Sequence, residues 1–174
     1  MLTGPECSGK TTLARTLAGA FGAPWTPEAA RLFADAFPQA LSEETVGPIA
    51  RLSMRLEDEA RAAHPGAALL VRDTDLVSTV VYARHYYGHV EAWIEAEARA
   101  RRAELYLLCR PDLPWSPDGV RDRPAQREEL FADFRAALDA MDAEVVEITG
   151  SGPARTDAAR RAVQAHLGSA RRAP

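Results

Sequence analysis

Short apolar runs alternate with longer amphipathic stretches along this chain. The runs predicted to form strands are Trp25–Thr26, Ala67–Val71, Glu104–Cys109 and Val145–Ile148. Runs of this kind between turn residues are typical of strands buried in a parallel sheet. Only three residues stand before the first glycine, so the sequence predicts either a very short first strand or a native start further upstream.

Apolar residues at helical spacing predict the helices. Leu13, Leu17 and Phe21 indicate a first helix that ends at Gly22. Further helices are predicted from Pro27, from Ser42 to an interruption at Gly47-Pro48, over Ile49–Ala63, Leu76–Tyr86 and Val90–Arg102, from Leu130 to Met141, and over Ala154–Leu167, before a frayed tail at Gly168–Pro174. Because strands alternate with helices, we expect a three-layer α/β/α fold with a parallel sheet of about five strands, in one domain over residues 1–174.

The stretch Gly4–Thr11 fits the phosphate-binding pattern G-x-x-x-x-G-K-[ST]. Its glycines let backbone amides wrap closely around phosphates, and the helix that follows directs its positive end at the same anion. Lys10 is expected to reach the β- and γ-phosphates of ATP, and the Thr11 hydroxyl to bind Mg²⁺. The predicted nucleotide-binding residues are Gly4, Glu6, Cys7, Ser8, Gly9, Lys10, Thr11 and Thr12, together with Arg155 on the expected adenine side.

The use of lysine strengthens this interpretation. Arginine occurs twenty times in the chain and lysine once, at Lys10. A compact, flexible ammonium group is therefore kept at the position where a phosphate-binding loop needs one. The alternative, a chance glycine-rich turn before a helix, is disfavoured by the strand, loop and helix that the pattern predicts around the motif.

Composition is that of an ordinary globular protein, with 47% hydrophobic and 26% charged residues. The formal net charge of −4 gives no electrostatic basis for binding nucleic acid or an anionic membrane. Cys7 and Cys109 form no disulfide framework, so we expect a reducing, cytoplasmic setting, with no signal peptide and no membrane span. The expected partner is a small-molecule substrate, and the oligomeric state stays open.

Two carboxylates follow the predicted strand Ala67–Val71. In α/β folds, ligands bind outside the carboxyl ends of the strands. Asp73 is therefore predicted to hold Mg²⁺ and to take part in catalysis, and Asp75 to bind the metal shell or the substrate. The alternative is that this stretch only caps the following helix.

Glu28 and Arg31 follow the predicted second strand, Trp25–Thr26. A carboxylate at a strand end can orient or deprotonate an acceptor hydroxyl, so Glu28 is predicted to be both catalytic and substrate-binding. Arg31 is predicted to bind substrate or to pair with Glu28. The alternative is a solvated ion pair in the first turn of a helix.

Residues 110–124 are rich in proline, aspartate and arginine and lack periodicity, which predicts a loop, and we expect a lid over about 110–127. Arg121 and Arg127 are predicted to neutralise charge on a transferring phosphoryl group while the lid excludes water. Surface ion pairs with nearby acidic residues are the alternative for these arginines. Trp115 offers a flat face for stacking on an aromatic ring, or else pins the loop to the core.

Four stretches, Gly4–Thr12, Trp25–Arg31, Asp73–Asp75 and Asp112–Arg121, occur together in this order. Taken together they resemble the ribosylnicotinamide kinase domain of NadR-type NAD-biosynthesis proteins and its stand-alone relatives. The likeness covers nearly the whole chain. The Asp-x-Pro-Trp-x-x-Asp-Gly-x-Arg stretch discriminates this family, because the phosphate loop alone occurs in many others.

The resemblance implies a P-loop kinase fold. It also implies a kinase that uses ATP and Mg²⁺ to phosphorylate the 5′-hydroxyl of nicotinamide riboside, giving nicotinamide mononucleotide. By matching motif it assigns Lys10 and Thr11 to ATP–Mg²⁺, Asp73 and Asp75 to metal and ribose, Glu28 and Arg31 to the acceptor side, Trp115 and Asp118 to the nicotinamide, and Arg121 and Arg127 to the lid.

The chain departs from the family pattern on the expected acceptor side. Leu52-Ser53 stand where the family commonly has Gly-Gln, and Ala29-Ala30 replace the usual Glu-Tyr-Ala spacing. The adenylyltransferase domain of the bifunctional proteins is not expected in a chain of this length. Two further interpretations follow: a P-loop kinase for another nucleoside or nucleotide, and a nucleotide-dependent switch or ATPase without a small-molecule acceptor.

Overall fold

A computed structural model of the protein describes residues 1–37, 41–116 and 124–170. Strands and helices alternate within these ranges, as the apolar pattern predicts. In chain order the elements are β1 (Leu2–Thr3), α1 (Lys10–Phe21), β2 (Trp25–Thr26), α2 (Ala29–Ala36), α3 (Glu43–Ala63), β3 (Val71–Arg72), α4 (Leu76–Tyr87), α5 (Ala92–Ala100), β4 (Tyr106–Cys109), a 3-10 turn (Pro124–Gln126), α6 (Arg127–Asp139), β5 (Val145–Ile148) and α7 (Gly152–Ala170).

The strands lie parallel in the order β2-β3-β1-β4-β5. β4 pairs with β1 on one side and with β5 on the other, and β2 pairs with β3. A parallel bridge between Leu2 and Asp73 joins the two groups, and the Thr74 amide donates to the Leu2 carbonyl at 3.0 Å. The prediction of a parallel sheet with about five strands is confirmed, and β1 is its central strand.

Helices cover both faces of the sheet, as the three-layer prediction requires. β4 shows the division, because its side chains alternate between two buried clusters. Tyr106 and Leu108 pack with α3, α4, α5 and α6 on one face. Leu107 and Cys109 pack with α1 and α7 on the other. All four are essentially inaccessible to solvent, so β4 is buried on both faces.

The strand predicted over Ala67–Val71 is wrong in its bounds. Only Val71 and Arg72 are in β3, where the Val71 amide donates to the Pro24 carbonyl at 3.0 Å. β2 is two residues long, so it offers no partner for the residues upstream of Val71. The predicted burial is also wrong for most of the run, since Ala67 and Ala68 are exposed and Leu69 and Leu70 are half-buried.

The predicted interruption at Gly47-Pro48 is also wrong, since α3 runs unbroken from Glu43 to Ala63. Pro48 lacks the amide that would bond to the Glu44 carbonyl, but Glu44 is exposed and water can satisfy that oxygen. α2 begins at Ala29 rather than at Pro27. α7 continues to Ala170, which makes the first part of the predicted frayed tail helical, and 171–174 lie outside the described residues.

None of the helices within the described ranges is long and apolar enough to cross a membrane.

Candidate functional site

The loop between β1 and α1 passes very close to the next strand and its extension. Gly4 has φ +127°, and a Cβ atom there would lie 2.5 Å from the Cys109 carbonyl oxygen. Gly9 has φ +79°, and a Cβ atom there would lie 2.9 Å from Leu113 Cδ1. Both positions favour glycine because L side chains rarely adopt such φ values, and at Gly4 the Cys109 backbone also leaves no space for a methyl group. The loop therefore has the backbone that the phosphate-binding motif predicts.

Two buried arginines hold carbonyl oxygens of this loop. Arg127 donates from Nη2 to the Cys7 carbonyl at 3.3 Å, and Arg155 donates from Nη2 to the Ser8 carbonyl at 2.8 Å. In a trans peptide the carbonyl and the following amide point in opposite directions. With these carbonyls turned toward the arginines, the amides of Ser8 and Gly9 point the other way, as an anion-binding loop requires.

Lys10 begins α1 and is 5% exposed. Its ammonium donates to the Pro5 carbonyl at 2.7 Å, and the Ser8 hydroxyl donates to the same oxygen at 2.7 Å. The ammonium is thus held against the loop, and Lys10 lines a cavity there. A flexible stem lets it move from the carbonyl to a phosphate without any rearrangement of the backbone.

The cavity has a volume of about 180 Å³ and brings the loop together with residues from α2. Glu28 is buried at the start of α2 and Arg31 lies one turn later. β3 separates their strand from β1, so they are not on the strand next to the loop, yet they reach the same cavity. The lining residues are Glu6, Cys7, Ser8, Gly9, Lys10, Thr11, Thr12, Glu28 and Arg31.

Asp73 and Asp75 lie at the carboxyl end of β3, next to the strand that leads into the phosphate loop. Asp73 is completely buried. Asp75 accepts from the Val77 amide at 3.0 Å and from the Tyr106 hydroxyl at 2.8 Å, so it caps α4 and anchors β4 at once. Burial and the adjacent Asp75 carboxylate raise the pKa of Tyr106, which keeps the phenol protonated as a donor. Substrate contact by Asp75 stays a prediction.

A buried ion pair lies beneath these carboxylates and was not predicted. Arg72 of β3 pairs with Glu57 of α3, and both side chains are 7% exposed. Arg72 also donates to the Arg101 carbonyl at 3.2 Å and lies 3.7 Å from Asp75. A charged residue at the end of a buried apolar run is the signal in the sequence that could have indicated a buried partner.

Glu6 carries the carboxylate of the phosphate loop, and this residue is almost completely buried, at 1% exposure. Its Oε2 accepts from the Tyr82 hydroxyl of α4 at 3.1 Å. Tyr82 was not predicted as part of the site. It lies within an apolar helical stretch, where periodicity indicates only a core position.

Arg155 joins the loop to the ends of two further strands. It donates to Asp112 Oδ1 and to the Gly150 carbonyl, each at 2.8 Å, and Asp112 accepts from the Gly150 amide at 2.6 Å. Asp112 follows β4 and Gly150 follows β5. The prediction that Arg155 contacts the nucleotide stays a prediction, because its Nη groups are bound to protein oxygens in this structure.

The lid prediction is only partly covered by the described residues. Trp115 is half-buried, and its Nε1 has no hydrogen-bond partner among them. Cys7 donates from Sγ to the Ser116 carbonyl at 3.1 Å, which ties the start of this loop to the phosphate loop. Arg127 lies at the start of α6 and binds the Leu113 carbonyl as well as the phosphate loop. Asp118 and Arg121 lie outside the described residues.

Comparison with known families identifies the chain. The model of an AAA domain family matches residues 1–155. The chain belongs to this AAA domain family. The matched range runs from β1 through the phosphate loop to Arg155, so it includes every part of the candidate site described above.

Solved structures share the fold of this AAA domain. NadR in complex with NR has a TM-score of 0.83 at 22% identity, over 96% of this chain and 50% of that one. NadR in complex with NAD and AMP-PNP has a TM-score of 0.75 at 22% identity, over 96% and 48%. YorR from Bacillus subtilis, in complex with phosphorylated GDP, has a TM-score of 0.54 at 16% identity, over 97% and 95%.

The chain spans about half the length of the two NadR chains. The predicted likeness to NadR is confirmed at the level of the fold, which is that of P-loop kinases. No curated protein matches the sequence significantly.

Proposed function

We propose that this AAA domain is an ATP-dependent kinase that transfers the γ-phosphoryl group to the 5′-hydroxyl of nicotinamide riboside, giving nicotinamide mononucleotide. One observation carries the proposal: a single cavity is lined both by the phosphate loop and by Glu28 and Arg31. A loop that only held a nucleotide would need no buried carboxylate and no arginine beside it in the same cavity.

ATP is proposed to bind with its phosphates on the amides of the loop and against Lys10. Mg²⁺ fits the donor set, since the Thr11 hydroxyl lines the cavity and Asp73 lies buried at the neighbouring strand end. No group of three or more His, Cys, Asp or Glu in the described residues could hold a metal ion. That suits Mg²⁺, which takes phosphate oxygens and water with only one or two protein ligands. The ion would neutralise charge on the phosphates.

The acceptor is proposed to enter on the α2 side of the cavity. Glu28 is 6% exposed there and would accept a hydrogen bond from the attacking hydroxyl, which fixes the oxygen for in-line transfer. Arg31 would hold the acceptor by a polar group. Trp115, at the base of the loop after β4, would stack on the base ring.

The bound molecules in the similar solved structures support this proposal. One NadR structure contains NR, and another contains NAD and AMP-PNP, an ATP analogue. The order of the four motifs adds support, although the departures at Ala29-Ala30 and Leu52-Ser53 lie on the acceptor side.

The direct test is to incubate the protein with ATP, Mg²⁺ and nicotinamide riboside. We expect nicotinamide mononucleotide and ADP in equal amounts, measured by chromatography with mass detection. Lys10→Met under the same conditions controls for contaminating kinases. ADP formation that nicotinamide riboside does not stimulate would contradict the proposal and favour a switch or ATPase.

A panel of nucleosides and nucleotides at equal concentration tests the choice of acceptor. We expect the highest kcat/KM for nicotinamide riboside. The YorR complex with phosphorylated GDP makes a guanine nucleotide the sharpest competitor to include. A higher kcat/KM for any other member of the panel would reassign the acceptor while leaving the kinase chemistry in place.

A further inference from the structure

The two carboxylate oxygens of Glu6 differ in their hydrogen bonding. Oε2 accepts the Tyr82 hydroxyl at 3.1 Å, which fixes the rotation of the carboxylate. Oε1 is buried and has no hydrogen-bond partner in residues 1–37, 41–116 and 124–170. The side chain is 1% exposed and lines the same cavity as Lys10, Glu28 and Arg31.

A buried polar atom without a partner is costly, and a charged one more so. Native proteins rarely keep such an atom unless a ligand, an ion or a water satisfies it. Close by, the loop oxygens of Pro5, Cys7 and Ser8 are each bound by a protein donor, whereas Glu6 Oε1 is not. Glu6 Oε1 is therefore an acceptor reserved for something that enters the cavity.

The chemistry of that ligand follows from the charge of Glu6. A carboxylate repels phosphate oxygens, so Oε1 does not face the phosphate chain of ATP directly. It needs a hydrogen-bond donor. Because Tyr82 leaves only one oxygen in one fixed orientation, the site suits a single directional O–H group.

We propose that Glu6, held by Tyr82, binds a secondary ribose hydroxyl of the acceptor and makes this kinase select ribosides over deoxyribosides. This inference rests on the proposed kinase function and adds a specificity-determining residue to it. Glu28 orients the hydroxyl that is phosphorylated, and Glu6 recognises a second hydroxyl of the same sugar. Glu6, which the motif alone predicts to bind the nucleotide, thereby contacts the acceptor instead.

The test compares wild type and Glu6→Ala on each riboside that the wild type phosphorylates and on its 2′-deoxy and 3′-deoxy forms. A hydrogen bond to a charged group corresponds to roughly 10- to 100-fold in kcat/KM. We expect wild type to prefer the riboside over one deoxy form by about that factor. Glu6→Ala should lose about the same factor on the riboside and no longer distinguish the two sugars.

Three further variants make the result specific. Glu6→Met keeps the side-chain length without an acceptor atom and replaces Glu6→Ala if alanine impairs folding. Tyr82→Phe frees the carboxylate to rotate and should weaken the ribose preference part-way. Glu59→Ala, on an exposed face of α3, removes a carboxylate far from the loop and should keep the full preference.

The outcomes separate this inference from the proposed function. Turnover of ribosides with an undiminished ribose preference in Glu6→Met would overturn the assignment of Glu6 alone. A wild type without ribose preference would do the same, as would a Glu6 variant whose only defect is a higher Mg²⁺ requirement. Failure of wild type to phosphorylate any riboside would overturn both.

Discussion

Lys10 and the two arginines that hold the phosphate loop illustrate how the choice of cation follows the task. Arg127 and Arg155 use several N–H groups at once to bind carbonyl oxygens from different segments. A planar guanidinium is well suited to such fixed, multiple contacts. Lys10 makes one contact, to Pro5, that it can exchange for a phosphate.

Lys10→Met should strongly reduce phosphoryl transfer from ATP. The ammonium is placed to neutralise charge that develops on the phosphates, so we expect kcat/KM to fall by about 10²- to 10³-fold or more. Lys10→Arg should not restore activity, because the guanidinium is larger and planar. Arg160→Met, which removes an exposed cation from α7, is the matched control and should leave turnover unchanged. Activity of Lys10→Met close to wild type would exclude this loop as the site.

The two cysteines should react very differently with iodoacetamide. Cys7 is half-buried in the phosphate loop, whereas Cys109 is fully buried and burial raises the pKa of its thiol. We expect alkylation of Cys7 at pH 8 and little of Cys109 in the folded protein, measured by peptide mass spectrometry. ATP with Mg²⁺ should slow the labelling of Cys7 by roughly tenfold at saturation. Labelling of Cys109 that equals Cys7, or no protection by ATP, would contradict the site.

At the residue scale the sequence predicts what a local motif contains. Lys10, Thr11 and the loop glycines stand in one pattern, and Glu28 and Asp73 stand just after apolar runs, so all were predictable as candidates. Tyr82 lies 76 positions from Glu6, and nothing local to either residue indicates their contact. Periodicity reports that a side chain faces the core but not which distant polar atom it meets there.

At the element scale, the Glu57–Arg72 pair joins α3 to β3 just before the carboxylates that end that strand. Arg72 reaches the carbonyl after α5, and Asp75 begins α4. Four elements therefore converge on the turn that carries Asp73. Holding a carboxylate at a strand end within a few tenths of an ångström is what a metal or phosphoryl site demands.

Breaking this buried pair should cost far more stability than breaking an exposed one. Arg72→Met removes the cation at Glu57 Oε2 but leaves Arg61 bound to Oε1, so we expect the free energy of unfolding to fall by about 1–3 kcal/mol. Arg55→Ala on the same helix disrupts a pair whose side chains are both about two-thirds exposed. Its effect should stay within about 0.5 kcal/mol. Urea unfolding of both variants measures the difference, and equal losses would contradict the buried network.

The wrong element bounds came from the surroundings of each segment, which the local sequence does not show. α3 passes through Pro48 because the lost hydrogen bond falls on an exposed first turn. β3 stops short of Ala67–Leu70 because β2 pairs with only two residues. The start of α3, in contrast, was predicted correctly from the sequence. The Ser42 amide donates to Thr45 Oγ1 at 3.1 Å, which caps the helix at the predicted position.

At the scale of the whole molecule, the α/β class and the parallel sheet follow from the alternation of apolar runs and helices. The order of the strands in the sheet does not follow from this pattern, because the sequence of a strand indicates that it is buried but not which strands lie beside it. The consequence is visible at Glu28, which follows the outer strand β2, stands at the N-cap position of α2 and still lines the same cavity as the phosphate loop. Nothing in the apolar pattern indicates that residues after an outer strand share this cavity.

Stability should depend on pH through the amino group of Met1. In the protein with Met1 as its free N-terminus, the amino group donates to the Leu105 carbonyl at 2.9 Å, and burial, followed by the charge of Arg72, lowers the pKa of that group from 8.0 to about 5. Between pH 5 and 8 the unfolded chain binds more protons here than the native one, so the free energy of unfolding should rise with pH. The gain is at most about 4 kcal/mol and should level off above pH 8.

Urea unfolding at pH 5.5, 6.5, 7.5 and 8.5 measures this dependence. Protein acetylated at Met1 has no titrating amine and is the matched control, because histidines contribute equally to both forms. The difference between the two proteins should grow as pH falls. A constant difference across this range would show that the amino group titrates normally in the native state.

The arginine contacts to Cys7 and Ser8 also bear on how fast a nucleotide is captured. Since those carbonyls are tied before any ligand arrives, the loop loses its conformational freedom during folding rather than during association. Capture should then be a one-step encounter whose observed rate rises linearly with ATP concentration, without the plateau that a slow isomerisation imposes. The left-handed backbone conformation at Cys7 stores strain in the folded state. The pre-formed loop therefore binds its ligand faster, but it lowers the free energy of unfolding.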